Sequence, residues 1–325
     1  MPKCLIVKNG ITFGTTGAVR PCCAFDTHGE PSVKFDEDWK TWFDGFDKRL
    51  KQGWISNCKE CEQSEKLGKR SLRQYYNNIL EDNSSIQYWD LKINSTCNYA
   101  CRMCDLSSSS TWDKIMKTNT DQKWDRHYTK RELGKWHKDS AGLVDLMWNA
   151  KVVKFTGGEP FLIPQVKKII QSLVDKGWSK NINLAFITNG SQDITTWNHL
   201  FEHFKSVHIS FSVDAIEERF EYIRPGASWK TVKQNVELFQ ALKPKNTSIT
   251  ITCLQMLLNK GYTHLVRKWS NSIGANDFDL AGPIIYPDFL QEGAMDNPKL
   301  KDKFIKQMEI QDKIHGTNWR DFVNE

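Results

Sequence analysis

The chain has 325 residues, of which 39% are hydrophobic and 26% charged, with a formal charge of +6. Those proportions belong to a folded globular protein with a sizeable core, and they exclude both a disordered chain and a scaffold that depends on disulfides. The positive balance falls short of a dedicated nucleic-acid protein, in which Lys and Arg gather on one face, so nucleic acid is not an expected partner.

The amino-terminal stretch MPKCLIVKNG has an apolar run of only four residues, too short for a signal peptide or a membrane span. A cytoplasmic protein with reduced thiols and no membrane partner is therefore expected. In that compartment nine cysteines at clustered spacings point to metal or redox chemistry rather than disulfides. Residues 1–82 read as a small cysteine-rich module with Cys4, Cys22, Cys23, Cys58 and Cys61, short apolar pieces and one acidic, Trp-rich helix over 38–50. Too little hydrophobic material is present there for an independent core, so a metal staple is expected. The basic stretch Lys66, Lys69 and Arg70 with Arg73 reads as a solvated face.

Residues 83–290 alternate short apolar runs with amphipathic segments. Strands are predicted over 88–93, 151–155, 182–187, 207–213, 248–254 and 277–280. Helices are predicted over 166–174, 194–204, 229–242 and 263–273. Six strands linked by helices are an α/β pattern with a parallel sheet. Periodicity leaves a doubly wound sheet and a partial barrel both open, and either one puts function in loops at the carboxyl ends of the strands. Residues 291–325 hold a charged amphipathic helix over 297–314 and a tail, read as a capping or surface helix.

Just past the first strand stand Cys97, Cys101 and Cys104, spaced CxxxCxxC. Thiolates select zinc, copper(I) or iron–sulfur clusters. A closed zinc site wants four ligands, whereas a four-iron cluster held by three cysteines keeps one iron open to a small molecule. After the second strand comes FTGGEPFL, residues 155–162, whose two glycines let backbone approach a ligand closely.

The cysteine triad joined to Thr156, Gly157, Gly158, Glu159 and Pro160 resembles the radical S-adenosylmethionine (SAM) superfamily. The resemblance implies a partial (β/α)6 barrel, a [4Fe-4S] cluster on Cys97, Cys101 and Cys104, and SAM bound at the open iron. It further implies that Thr156, Gly157, Gly158 and Glu159 face the SAM amino group, that Asn189 and Ser212 end strands near the ribose, that Arg224 meets the carboxylate, and that Met103 packs near adenine. Cys4, Cys22, Cys58 and Cys61 are similar to the ligands of a twitch, or SPASM-like, module with an auxiliary [4Fe-4S] cluster. Cys23 is an alternative to Cys22, and a structural Cys4 zinc site is the competing reading of that set. The activity implied is an oxidoreductase-type radical enzyme that takes electrons from a flavodoxin- or ferredoxin-like donor and abstracts hydrogen from a peptide or protein. The alternatives are a zinc-stapled RNA- or protein-binding module, a scaffold that keeps the fold without turnover, and a radical SAM enzyme acting on RNA or a small molecule. No catalytic acid or base is legible.

Overall fold

A computed structural model describes residues 2–129 and 140–323; the first and last residues of the segments 1–82 and 291–325 lie outside the described residues. Among these, nine strands form one sheet in the order β3-β2-β1-β4-β5-β6-β7-β8-β9. They are β1 (Gly10–Phe13), β2 (Ala18–Arg20), β3 (Val33–Lys34), β4 (Tyr88–Leu91), β5 (Val152–Phe155), β6 (Asn183–Thr188), β7 (Ser206–Ser212), β8 (Thr247–Gln255) and β9 (Asp277–Pro283). Strands β4 to β9 run parallel and in chain order, as the alternation of strands and helices requires. They are the core of the partial (β/α)6 barrel.

Helices pack against this core, those that follow its strands turning their apolar residues to one face. Among them are α1 (Trp39–Leu50), α2 (Ser110–Thr118), α3 (Pro164–Asp175), α4 (Trp229–Leu242), α5 (Thr263–Ser272) and α6 (Pro298–His315). Side chains alternate along a strand, and Trp89, Val153, Leu184, Ile209 and Ile249, which share one face, enter one apolar cluster with Val166, Ile170, Val236 and Val266 of the helices. The opposite, inner face is polar: Asp90, Lys154, His208, Ser210, Ser212, Thr250 and Thr252 occupy the alternate positions.

The amino-terminal segment continues the sheet. Strand β1 pairs parallel with β4, Thr12 opposite Asp90, and β2 and β3 follow as an antiparallel extension. Its apolar residues divide accordingly. Ile11, Phe13 and Val19 join the main core, while Leu5, Ile6, Val7, Phe25, Phe46 and Leu50 form a second cluster closed by Tyr88 and Val152 of the sheet's inner face. The low hydrophobic content of the first 80 residues thus reflects a segment that borrows part of its core from β4 and β5.

Helix α6 packs into the core. Phe304, Gln307, Met308, Gln311 and Asp312 are buried, and Phe304 and Met308 sit in the main core. The alternation of charge along 297–314 hid a buried stripe.

Candidate active site

The cysteine loop between β4 and α2 is held from three sides. Ser109 caps α2, accepting from the amides of Thr111 and Trp112, and its hydroxyl donates to the Tyr99 carbonyl at 2.5 Å. The serine run after the cysteines therefore caps a helix, as such residues do. Ser110 and Thr111 hydroxyls donate to the Cys97 carbonyl at 3.2 and 2.8 Å, and the Trp112 indole donates to the Cys101 carbonyl at 3.0 Å. On the second side, the amides of Ala100 and Arg102 donate to the Pro225 and Ile223 carbonyls at 2.9 and 3.0 Å.

The third side is a residue the sequence did not single out. Arg102, inside the motif, is fully buried. Its Nη2 meets Asp312 Oδ1 of α6 at 2.8 Å, its Nε donates to the Tyr222 carbonyl at 2.7 Å, and its guanidinium lies 3.8 Å from the Tyr222 ring centroid. Nothing local announces this contact, because Asp312 is 210 residues away.

The TGGEP turn lies against the segment that leads into Cys97. The Thr156 amide donates to the Leu91 carbonyl at 3.0 Å and the Glu159 amide to the Thr96 carbonyl at 2.7 Å. Both glycines have positive φ, +68° and +56°. A Cβ on Gly158 would lie 2.5 Å from the Thr96 oxygen and 2.9 Å from the Asn94 oxygen, and one on Gly157 would collide with the Lys92 side chain. Glycine is required at both places by conformation and by space.

The Glu159 carboxylate, expected to offer acceptors to an ammonium, is engaged within the protein. It is completely buried and turned to the end of β6, where it accepts from the Thr188 hydroxyl at 2.8 Å, the Asn189 amide at 2.7 Å and the Phe161 amide at 3.2 Å. Burial pushes it up to about 7 against the lowering effect of those bonds. It ties the turn to the neighbouring strand end.

Two predicted residues reach the cysteines. Asn189 Nδ2 is 3.7 Å from Cys97 Sγ and 3.0 Å from Asn98 Oδ1. Arg224, buried, has Nη1 at 3.7 Å from Cys101 Sγ and Nη2 at 2.6 Å from Asp214 Oδ2. Burial alone would lower the guanidinium, but Asp214 and the cysteines hold it above its ordinary range. Its Nε is buried with no hydrogen-bond partner among the described residues. Ser212 ends β7 opposite Thr252, and Met103 packs half-buried against the core with its carbonyl 3.0 Å from His127 Nε2.

The thiols are electrostatically unequal. The Cys104 thiol's hydrogen bond holds Cys101 below the usual thiol range against burial, while Cys104 itself is raised well above it; burial pushes Cys97 up to about 11. Three sulfurs, a donor left unsatisfied beside them and a half-buried turn of two glycines fit a cluster with one open iron and an amino acid bound there.

Cys4, Cys22, Cys58 and Cys61 line one cavity together with Ile6, Trp54 and Arg73. Burial pushes Cys4 up to about 12 and Cys58 up to about 11, each raised further by neighbouring cysteines. Cys23 faces elsewhere, 3.8 Å from the Tyr88 hydroxyl. Among the described residues no group of three or more His, Cys, Asp or Glu side chains closes around a single metal ion; a four-iron cube spreads its thiolates more widely than one ion does.

A cavity of about 620 Å³ lies on the sheet's inner face, walled by β1, β2, β4 and β5 and by Asp105 and Ser107 just after the cysteine motif. Cys23 and Thr156 both line it. That size is ordinary for a small-molecule or side-chain pocket.

The Radical SAM superfamily model matches residues 91–261. Among curated proteins, none matches the chain. Among solved structures, the chain is similar to native anSMEcpe with bound AdoMet, at 18% identity and a TM-score of 0.44, over 69% of this chain and 60% of that one. It is also similar to Streptococcus suis SuiB bound to the precursor peptide SuiA, at 10% identity and a TM-score of 0.43, over 93% of this chain and 71% of that one. The chain thus spans less than two thirds of the length of anSMEcpe. No helix among the described residues is long and apolar enough to cross a membrane.

Proposed function

Because the chain belongs to the radical SAM superfamily, we propose that it is an enzyme that abstracts a hydrogen atom from a peptide or protein held on the inner face of its sheet. The family implies SAM and a [4Fe-4S] cluster as cofactors, and these when bound supply the 5′-deoxyadenosyl radical that takes the hydrogen. Cys97, Cys101 and Cys104 are the cluster's ligands in this reading. The backbone of Thr156, Gly157 and Gly158 receives the SAM ammonium, the free Nε of Arg224 meets its carboxylate, and Asn189, Ser212 and Met103 complete the pocket.

Within this proposal each residue has a physical task. Glu159 fixes the turn rather than touching the ligand. Asp214 aims Arg224, and the guanidinium beside Cys101 favours its thiolate. Cys4, Cys22, Cys58 and Cys61 hold an auxiliary [4Fe-4S] cluster, and residues 1–82 act as the module that carries it. A low-potential flavodoxin- or ferredoxin-like protein is the electron donor. Residues 83–290 are the catalytic unit, and the location is the cytoplasm, where thiols stay reduced.

The single observation that carries the reading is the meeting of the CxxxCxxC loop with the TGGEP turn through the Glu159–Thr96 and Thr156–Leu91 backbone bonds, beside a polar cavity. The test is anaerobic reconstitution of the full chain. Two clusters predict about eight iron per chain at four iron each. Dithionite and SAM should then yield 5′-deoxyadenosine, and Cys101→Ala should abolish it; undiminished cleavage in that variant would remove the assignment. A peptide substrate should show a mass change that requires both SAM and reductant.

A further inference from the structure

The register of the sheet sets four polar residues in one row across four strands. Arg20 of β2 is opposite Thr12 of β1, Thr12 is opposite Asp90 of β4, and Asp90 is opposite Lys154 of β5. Residues paired this way share a face, and all four line the cavity of about 620 Å³. Lys92, two residues beyond Asp90, lines it as well.

The charges in this row do not balance. Asp90 is buried and accepts from the Thr156 hydroxyl at 3.1 Å, with Lys154 Nζ at 3.7 Å from its other oxygen and the Tyr88 hydroxyl at 3.2 Å. Lys92 donates to Ser108 at 3.1 Å, near Asp105. Glu30, the remaining acidic lining residue, is engaged by Asn57 at 3.2 Å and by Arg49 at 3.5 Å. Arg20, Lys92 and Lys154 therefore face two available carboxylates, and Arg20 makes no side-chain hydrogen bond or ion pair among the described residues. Beside it the Thr12 hydroxyl, on a residue only 5% exposed, is buried with no partner. A buried hydroxyl is ordinarily satisfied. Here the unpartnered Thr12 hydroxyl and the half-buried, unpaired Arg20 guanidinium stand on paired residues that line the same cavity.

We infer that Arg20 and Thr12, backed by Lys154, form an anchor for a carboxylate of the substrate, so that the hydrogen-donating carbon is presented toward Thr156 at the far wall. A carboxylate fits the fork of a guanidinium through two parallel hydrogen bonds, and a threonine hydroxyl adds one more donor. The substrate class is accordingly a peptide bearing either an acidic side chain or a free carboxyl terminus at the site of modification. This deepens the functional proposal and rests on it.

The test uses the full-length, anaerobically reconstituted protein with bound SAM and no reductant, and reads binding by calorimetry. The probes are N-acetyl-glutamate α-amide, with only a side-chain carboxylate, N-acetyl-diglycine, with only a terminal one, and the neutral amide of each. At least one carboxylate probe should bind about tenfold tighter than its amide, the scale of a charged hydrogen-bonded contact, and which one binds identifies the source. Arg20→Gln and Thr12→Val should each weaken that binding, with Arg20→Lys between Gln and wild type. Thr12→Val decides the matter if Arg20→Gln loses its iron. Equal affinity for acid and amide, binding of no probe at all, or full binding by both variants overturns the anchor. Failure of the enzymatic reading would instead appear as absent 5′-deoxyadenosine in the reductant assay, which these binding measurements do not involve.

Discussion

Replacing Asp312 by Asn tests how the cysteine loop is held. The exchange keeps shape but leaves one acceptor oxygen where there were two; with that oxygen toward the Thr317 hydroxyl at 2.7 Å, the new NH2 faces the Trp319 amide at 2.6 Å. The substitution also removes the charge that balances Arg102, whose side chain is 0% exposed. Arg102 keeps the Tyr222 carbonyl at 2.7 Å, the Thr317 hydroxyl at 2.9 Å and the Tyr222 ring, so the loss is that of an uncompensated buried cation together with one acceptor. Breaking a buried pair from one side costs about 3–5 kcal/mol, and the expected value lies in that range. Urea unfolding followed by tryptophan fluorescence measures it. Removing both charges with Arg102→Met and Asp312→Leu should be less damaging than Asp312→Asn alone, because no orphan charge remains. A cost below about 1 kcal/mol for Asp312→Asn, or a double variant worse than the single one, would refute the argument. Since the Arg102 amide also bonds Ile223, the same variant should take up less iron during reconstitution.

Further outcomes can be checked one by one. Gly158→Ala sets a Cβ 2.5 Å from a backbone oxygen at φ +56° and should lower 5′-deoxyadenosine formation about a hundredfold, the scale of displacing a bound ligand by roughly 1 Å; activity near wild type would mean the turn does not face the ligand. Glu159 is held up to about 7 from 4.5 by burial, so the native state keeps a proton that the unfolded state has released across that window. Its contribution is fully present below about pH 4.5 and is lost as pH rises through about 7. The thermal midpoint of wild type relative to Glu159→Gln should accordingly fall over this range, and a constant difference would contradict the burial argument. Cys22→Ser should lose about four iron per chain while Cys23→Ser keeps about eight, at four iron per cluster, because Cys22 lines the four-cysteine cavity and Cys23 the larger one.

Local patterns made much of this molecule legible. Six βα units follow from periodicity because each strand and helix must turn an apolar stripe to the same core, and the strands observed agree with those expected to within a few residues. The cysteine spacing and the TGGEP turn were visible because both are local demands of ligation and of positive φ. One further signal stood in plain view. A parallel sheet covered on both faces reads as continuous apolar runs, whereas His208 to Ser212 and Ser248 to Thr252 alternate polar and apolar residues, which requires an uncovered polar face.

What the tertiary structure alone decided are the contacts between residues far apart in the chain. Strand β1 was missed because four residues at the amino terminus become a strand only when β4, beginning at Tyr88, supplies its hydrogen bonds. Arg102 carries no local mark of burial; Asp312 and Tyr222 create its site. Glu159 reads as a ligand group from its motif, and only the fold brings Thr188 and Asn189 to its carboxylate. The row from Arg20 to Lys154 exists only through register. The sequence by itself determined the chemistry the chain can hold, since thiol spacing and glycine conformation are local. The fold decided where that chemistry is aimed, since direction depends on pairings that no single segment contains.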